Sequence, residues 1–436
     1  MTAGRVFLVG CGTAKRHLTL EGVRALKESD VILYDRLADK DILDISRGRK
    51  IYVGKGKGES GKQERINRLL YRHAKDGRTV ARLKGGDSFF FARGFEEYDY
   101  LRSRGVDVSV IPGISAFQVL SELGIPLTMR QKSSSVSFIT GSRAQDSSNY
   151  TGLDADTLVF YMPVGNLEKI VASVRKRKKK AYCMLVENAG RKNYMVIGGS
   201  LGNIVSLAQE AEVSPPALFV VSPVKRRLYA NSVLTFRQKD REEETIKKLE
   251  GFKVANYPLY TVKHRRVRKP KAKVFAFTSP NAVESVLSQH RISGKFVAIG
   301  ERTAEALAKF GIKAHVPKQQ SSTGLMEYLK KYDKKDVAVY CSPRTKVEGY
   351  KKVYAYDAHY KKKAPGLRKL VAETDALVIT SSEVLNTLCA LAPVRLLNSK
   401  TIVVIGPKTA ATAKKCGLHV DFMPEKPLIS ELSRLR

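Results

Sequence analysis

The chain has 436 residues, too many for one ordinary core, and 43% of them are hydrophobic, enough to pack two or more domains. No apolar run reaches membrane-spanning length, and MTAGRVFLVGCG enters a strand directly, without a signal-peptide pattern. The 78 Lys and Arg against 42 Asp and Glu leave a net charge of +36, yet no RNP signature, zinc finger or basic zipper accompanies it, so specific nucleic-acid binding is not expected.

The predicted elements follow in chain order. RVFLVG reads as a short buried strand, and TLEGVRALKES as a helix with Leu20, Val23 and Leu26 on one face. DVILYD and, after a long loop, TVARLKGG read as further strands. This strand–turn–helix alternation argues for an α/β fold with largely parallel sheets. In LKGGDSFFFARGFEEYDYL (83–101), two glycines and an aspartate end a strand and three phenylalanines follow. A helix then opens with Phe95, Tyr98 and Leu101 on one face. Glycines at such a place let the backbone approach a ligand closely. Taken alone, Arg93 and Glu96 are an i,i+3 surface pair. VIPGIS (110–115) reads as a hinge, because Pro and Gly break helix and strand alike. SSVSFITG, TLVFYM, AYCMLVEN and PPALFVVSP supply the strands of a second unit, which ends in the basic joint VKRRLYAN (224–231). Other basic runs stand at RKRKKK (175–180) and KHRRVRKPKAK (263–273). The five cysteines lie far apart without metal-ligand spacing and read as free thiols of a reducing cytoplasm; no metal is expected.

Beyond the joint the chain repeats itself. VFAFTSPNAVESVL (274–287) echoes ALVITSSEVLNTLCAL (376–391), and FVAIGERTAEALAKFGI (296–312) echoes TIVVIGPKTAATAKKCGL (401–418) at a nearly constant offset. Two copies of this length mean two similar α/β lobes. In each copy a strand ends in hydroxyls where a helix begins, which places Thr278, Ser279, Thr303, Thr380, Ser381 and Thr409 at helix starts. Helix N-termini offer free N–H groups and a positive dipole end, which suit carboxylates. Each such residue taken singly is an ordinary cap. Four of these ends, paired across a repeat, favour a cleft for an anionic ligand.

The blocks VGCG (9–12), ESDVILYDRL (28–37), YVGKGKG…QERIN (52–67), LKGGDSFFFARGFEE (83–97), VIPGIS, GIPLTMR (124–130) and SPPALFVV (214–221) stand in the order known from uroporphyrinogen-III C-methyltransferases. Residues 5–225 resemble that family. The resemblance implies two lobes, 1–112 and 113–230, that use S-adenosylmethionine to methylate uroporphyrinogen III to precorrin-2. It assigns Gly10, Gly12, Gly85, Gly86, Asp87 and Pro112 to the cofactor, with Tyr161 and Met162 lining its adenine or methyl side. Arg93, Glu96 and Arg130 then hold substrate carboxylates and assist proton removal, and Asp35 is a further proton-handling or structural carboxylate. The family likeness also implies a homodimer through this half. There are departures. The opening loop reads GCGTAKRHLT where the family has Gly-x-Gly-Pro-Gly-Asp, Gly-Gly-Asp-Pro has become Gly-Gly-Asp-Ser, and Met129 replaces the usual histidine.

The second half resembles uroporphyrinogen-III synthase. VLTFRQ (233–238) supplies Arg237 for the family's early arginine, and VYAYDA (353–358) places Tyr356 where the chain returns to its first lobe. The resemblance implies lobes of 231–264 with 362–436, and of 265–361. It further implies cofactor-free closure of hydroxymethylbilane, with Arg237 and the six hydroxyl residues gripping carboxylates and Tyr356 assisting departure of the hydroxyl. The expectation is therefore an α/β chain in which a two-lobed tetrapyrrole methyltransferase unit precedes a two-lobed synthase unit. It would be a cytoplasmic, bifunctional enzyme whose partners are hydroxymethylbilane and uroporphyrinogen III, with no membrane. Both substrates are polycarboxylates, and a positive field would steer them. Two other readings stand beside it: a synthase with a decayed or altered methyltransferase half, and a basic nucleic-acid-binding α/β protein.

Overall fold

Val6, Leu8 and Val9, like Val31, Ile32 and Leu33, are buried whichever way they point, as in a parallel sheet covered by helices on both faces. They belong to a parallel sheet with strands in the order Arg49–Tyr52, Val31–Tyr34, Val80–Lys84, Arg5–Gly10, Asp107–Ile111. The computed structural model describes residues 4–54, 62–142, 150–178, 181–224, 226, 229–269, 271–345, 347–425 and 429. Part of the YVGKGKG…QERIN block, the end of RKRKKK, Pro270 of the third basic run, and Lys225, Arg227 and Leu228 of the joint lie outside the described residues.

Two helices turn a different face inward from the one the sequence suggests. Thr19 caps Leu20–Glu28 by accepting from Gly22 N at 3.1 Å, and the buried residues are Gly22, Ala25 and Leu26, while Leu20 is exposed. Gly22 packs closely on this side, where a Cβ would lie 2.8 Å from Leu18 Cδ1. In Gly94–Arg102 the buried stripe is Gly94, Glu97 and Leu101, and Phe95 is exposed. Gly94 rests on the Ser88 carbonyl, and Glu97 is drawn in by two cations on the neighbouring strand.

The second sheet runs Val136–Thr140, Thr157–Tyr161, Ala217–Ser222, Tyr182–Glu187, Met195–Ser200. Only its first pair is parallel, so the expectation of largely parallel sheets fails here. A third sheet, wholly parallel, runs Lys253–Asn256, Ser232–Thr235, Ala376–Ile379, Thr401–Val404.

Residues 420–423 serve the edges of both of these sheets. Val196 N donates to Val420 O (2.8 Å) and Val420 N to Tyr194 O (2.9 Å), while Val404 N donates to Phe422 O (3.0 Å). Polar side chains fill the seam. The buried Asp421 carboxylate accepts from the Tyr194 hydroxyl, from His419 Nε2 at 2.9 Å and from Ile402 N at 2.7 Å. Arg226 of the joint is buried and donates to the carbonyls of Leu123 and Asp421. Lys414 Nζ lies 2.7 Å from the buried Glu187 carboxylate.

The chain forms two compact units. One comprises Met1–Phe236, Arg241–Tyr257 and Pro365–Arg436, the other Arg237–Asp240 and Pro258–Ala364. The second unit holds a parallel sheet, Lys295–Ala298, Val274–Phe277, Val337–Cys341, Lys351–Tyr354, and an antiparallel ribbon of Tyr260–His264 with Tyr356–Tyr360.

Candidate active site

In open α/β sheets ligands bind beyond the carboxyl ends of the strands. The adjacent strands Arg5–Gly10 and Val80–Lys84 end in Gly10-Cys11-Gly12 and Gly85-Gly86-Asp87. These two loops pair with each other, Gly12 N to Gly86 O at 3.1 Å and Gly86 N to Gly12 O at 2.8 Å. The hinge completes the closure, since Asp87 Oδ2 accepts from Gly113 N at 3.0 Å and Oδ1 from Phe89 N at 2.8 Å. A Cβ on Gly10 would stand 2.6 Å from Gly113 N, and one on Gly113 would stand 2.3 Å from Gly86 O. Three backbones thus meet with no room for side chains. Gly86 differs: its φ is +74°, and the place of its missing side chain is open, with no atom nearer than 3.8 Å. The buried Cys11 thiol between these loops is pushed up to about 12 by its burial, so it stays protonated.

An aromatic cluster follows the Gly85-Gly86-Asp87 loop. The Phe90 ring lies 5.4 Å from those of Phe117, Phe138 and Tyr161, and Phe91 lies 4.9 Å from Tyr161. Tyr161 accepts from Phe117 N at 3.1 Å, and burial raises its hydroxyl well above the usual range. Met162 follows with a left-handed φ of +53° and a half-exposed side chain.

Asp35 belongs to a buried charge network that sequence reasoning missed. Its Oδ2 accepts from Arg82 Nη2 at 2.9 Å. Arg82 Nε and Lys84 Nζ reach the same oxygen of Glu97, at 3.3 and 3.0 Å. Glu97 is 0% exposed, and its Oε2 has no hydrogen-bond partner among the described residues. Burial, and then Arg82, lower the Lys84 ammonium below its ordinary range in spite of Glu97. The signal available was the Glu96-Glu97 pair itself, in which the neighbour of the residue singled out points inward. Arg93 and Glu96 form an exposed pair 3.9 Å apart, and Arg130 is exposed on the turn after Met129.

In the second unit the structure brings Tyr356 to a helix start. Ser279 caps Pro280–Leu287, accepting from Ala282 N at 3.2 Å, and its Oγ donates to the Tyr356 hydroxyl at 3.0 Å. Thr278 beside it donates to Tyr340 O at 3.1 Å. Thr303 is buried in the helix Glu301–Ala308, and Arg237 is half-buried. Thr380, Ser381 and Thr409 belong to the other unit. There Ser381 caps Ser382–Leu391, Thr380 precedes it half-buried, and Thr409 is buried in Pro407–Lys415. Among the described residues no group of three or more His, Cys, Asp or Glu could hold a metal, and no helix is long and apolar enough to cross a membrane.

Comparison with known proteins bears on both halves. The family model of tetrapyrrole (corrin/porphyrin) methylases matches residues 5–205, and that of uroporphyrinogen-III synthase matches residues 240–434. A uroporphyrinogen-III C-methyltransferase of Methanocaldococcus jannaschii is 41% identical over 233 residues, 51% of this chain and 96% of the relative. Siroheme synthase 2 of Pectobacterium atrosepticum is 40% identical over 231 residues, and the matched part is half of that relative's length. Among solved structures, uroporphyrin-III C-methyltransferase from Thermus thermophilus, complexed with S-adenosylhomocysteine, is 37% identical with a TM-score of 0.45, covering 50% of this chain and 97% of that one.

Proposed function

We propose that this chain, which belongs to the uroporphyrinogen-III C-methyltransferases and carries a uroporphyrinogen-III synthase region over residues 240–434, closes hydroxymethylbilane to uroporphyrinogen III and methylates that product to precorrin-2. The observation that carries the methyltransferase half is the glycine closure. Gly10 and Gly113 are locked, while Gly86 leaves an open space at a left-handed backbone, and that combination fits a ligand lying on the loop. S-adenosylmethionine, when bound, supplies an electrophilic methyl group there.

This chain's residues bind, orient and exclude water. Gly12, Gly85, Gly86, Asp87 and Pro112 hold the cofactor's amino-acid end, and Tyr161 and Met162 face its adenine or methyl side. The Arg93 and Arg130 guanidinium forks grip tetrapyrrole carboxylates, with Glu96 orienting Arg93 or accepting a proton. Asp35 acts through Arg82, holding the strand that ends in the glycine loop. The aromatic cluster keeps water from the reacting carbon.

In the synthase half, Tyr356 assists departure of the hydroxyl, supported by its hydrogen bond from Ser279 at 3.0 Å. In one unit Arg237, Thr278, Ser279 and Thr303 are the groups that bind substrate carboxylates; in the other, Thr380, Ser381 and Thr409 are its own carboxylate-binding groups at helix starts. A cytoplasmic homodimer completes the reading. Incubation with hydroxymethylbilane, with and without S-adenosylmethionine, followed by mass and isomer analysis, tests both halves. Uroporphyrinogen III alone without the cofactor, and a product two methyl groups heavier with it, are expected. The type I isomer in both reactions would refute the synthase half, and absence of methylated product the other.

A further inference from the structure

The opening loop holds a hydrogen-bonded chain of side chains outside the sites assigned so far. Thr13 Oγ1 lies 3.0 Å from His17 Nδ1, and His17 Nε2 lies 2.7 Å from Glu122 Oε1. Glu122 comes from the far side of the hinge, on the short helix Gln118–Leu123. Its other oxygen accepts from Arg16 Nη2 at 2.6 Å. Burial pulls the Glu122 carboxyl up, but the hydrogen bonds from Arg16 and His17 outweigh it and leave the group below its ordinary range. Glu122 is therefore a carboxylate at neutral pH, and a carboxylate only accepts. The Nε2–H tautomer of His17 is the one that can donate to this carboxylate, and in that tautomer the Nδ1 lone pair faces the Thr13 hydroxyl.

The surroundings isolate the ring. His17 is 4% exposed, and Gly190, at φ +78°, covers it so closely that a Cβ there would lie 2.7 Å from His17 Cε1 and 2.1 Å from Thr13 Oγ1. Thr13 is half-buried and follows Gly12, which is paired to Gly86. The carboxylate at the other end is 40% exposed, so a proton that enters at the hydroxyl has a way out to water through Glu122.

We propose that Thr13, His17 and Glu122 form a relay that accepts the proton released at each carbon methylation, an assignment that rests on the methyltransferase reading above. When a pyrrole carbon gains its methyl group, the ring nitrogen becomes acidic. Its N–H proton passes to Thr13 Oγ, the bonding pair stays on nitrogen, and the threonine's own proton moves to His17 Nδ1. The resulting imidazolium is held against the Glu122 carboxylate and passes its Nε2 proton out through it, and exchange of the ring protons with water restores the Nε2–H tautomer before the next methylation. An oriented hydroxyl, imidazole and carboxylate within hydrogen-bond reach is the geometry such chemistry needs. Glu96, over half exposed, offers no comparable isolation.

The test uses the full chain. Nitrogen-15 NMR of labelled histidine should show His17, assigned by its loss in His17→Gln, as the Nε2–H tautomer; an Nδ1–H ring overturns the relay. Thr13→Val, nearly isosteric, should lower kcat for uroporphyrinogen III methylation by ~100-fold, with S-adenosylhomocysteine affinity by calorimetry changed less than about twofold. Thr13→Ser should restore turnover. A Thr13→Val enzyme with normal kcat, or one whose affinity falls in step with kcat, overturns the relay and leaves the methyltransferase reading standing. An unmodified chain that fails to bind S-adenosylhomocysteine overturns both.

Discussion

Replacing Gly10 by Ala adds one methyl group at the point where three backbones meet. The new Cβ would stand 2.6 Å from Gly113 N, 2.7 Å from Gly113 Cα and 2.9 Å from Gly86 O. Ordinary contact needs about 3.5 Å or more, so the hinge or the Gly86 loop must retreat by nearly 1 Å. Close-packed interiors resist such movement, and overpacking of this kind costs about 1–3 kcal/mol. In a compact unit larger than about 250 residues that is a fall in Tm of at most ~2–12 °C. The effect on function should be larger than the effect on stability, because a 1 Å misplacement at a site can cost ~100-fold. Calorimetric titration with S-adenosylhomocysteine should therefore show affinity at least ~10-fold weaker, with the melt still cooperative. Gly165→Ala is the control, since nothing lies within 4 Å of its Cβ position. If Gly10→Ala binds like the unmodified chain, the loops are not the ligand's cradle.

Glu97→Gln leaves Lys84 without its buried counter-charge and Arg82 with Asp35 alone, and breaking a buried pair typically costs ~3–5 kcal/mol. Because the Lys84 ammonium is already lowered, the loss should shrink as pH rises and Lys84 sheds its proton; a loss independent of pH by calorimetry would refute the network. Asp421 is pulled up by burial but held below its ordinary range by His419, Tyr194 and the Ile402 amide. Its contribution to stability is thus full above the unfolded value of about 4 and is lost as pH falls through its lower folded value. Urea melts should show Asp421→Asn less stable than the unmodified chain at pH 7, with the gap closing below about pH 4; a constant gap would contradict this. Tyr356→Phe removes only the hydroxyl that accepts from Ser279, at a cost of about 1 kcal/mol in stability. Uroporphyrinogen I should then accumulate from hydroxymethylbilane while methylation of supplied uroporphyrinogen III stays normal, and an unchanged isomer ratio would make Tyr356 a packing residue.

What could be read from residues alone was local in its cause. Gly85 and Gly86 answer to backbone approach, Ser279 and Ser381 cap the helices they precede, and the strands of Val, Ile and Leu declare themselves. The misses have distant causes. Whether Glu96 or Glu97 faces inward depends on Arg82 and Lys84 one strand away. His17 meets its carboxylate only through the fold, across the hinge. The strand Met195–Ser200 carries two glycines that weaken its pattern, and its pairing with Tyr182–Glu187 rather than a crossover helix turns the sheet antiparallel there.

The segment 420–423 carries a consequence for how this chain is made. Until it is present, the strand Met195–Ser200 shows an open edge, and unpaired edges template aggregation. The ribosome delivers the covering residues long after that strand has emerged: at ~5–20 residues per second the wait is roughly 10–45 s. The edge of Met195–Ser200 is therefore covered only when the synthase half is nearly complete. A nascent chain stalled between the two should be the species that chaperones hold, and slow codons placed in that interval should lower the yield of both activities together.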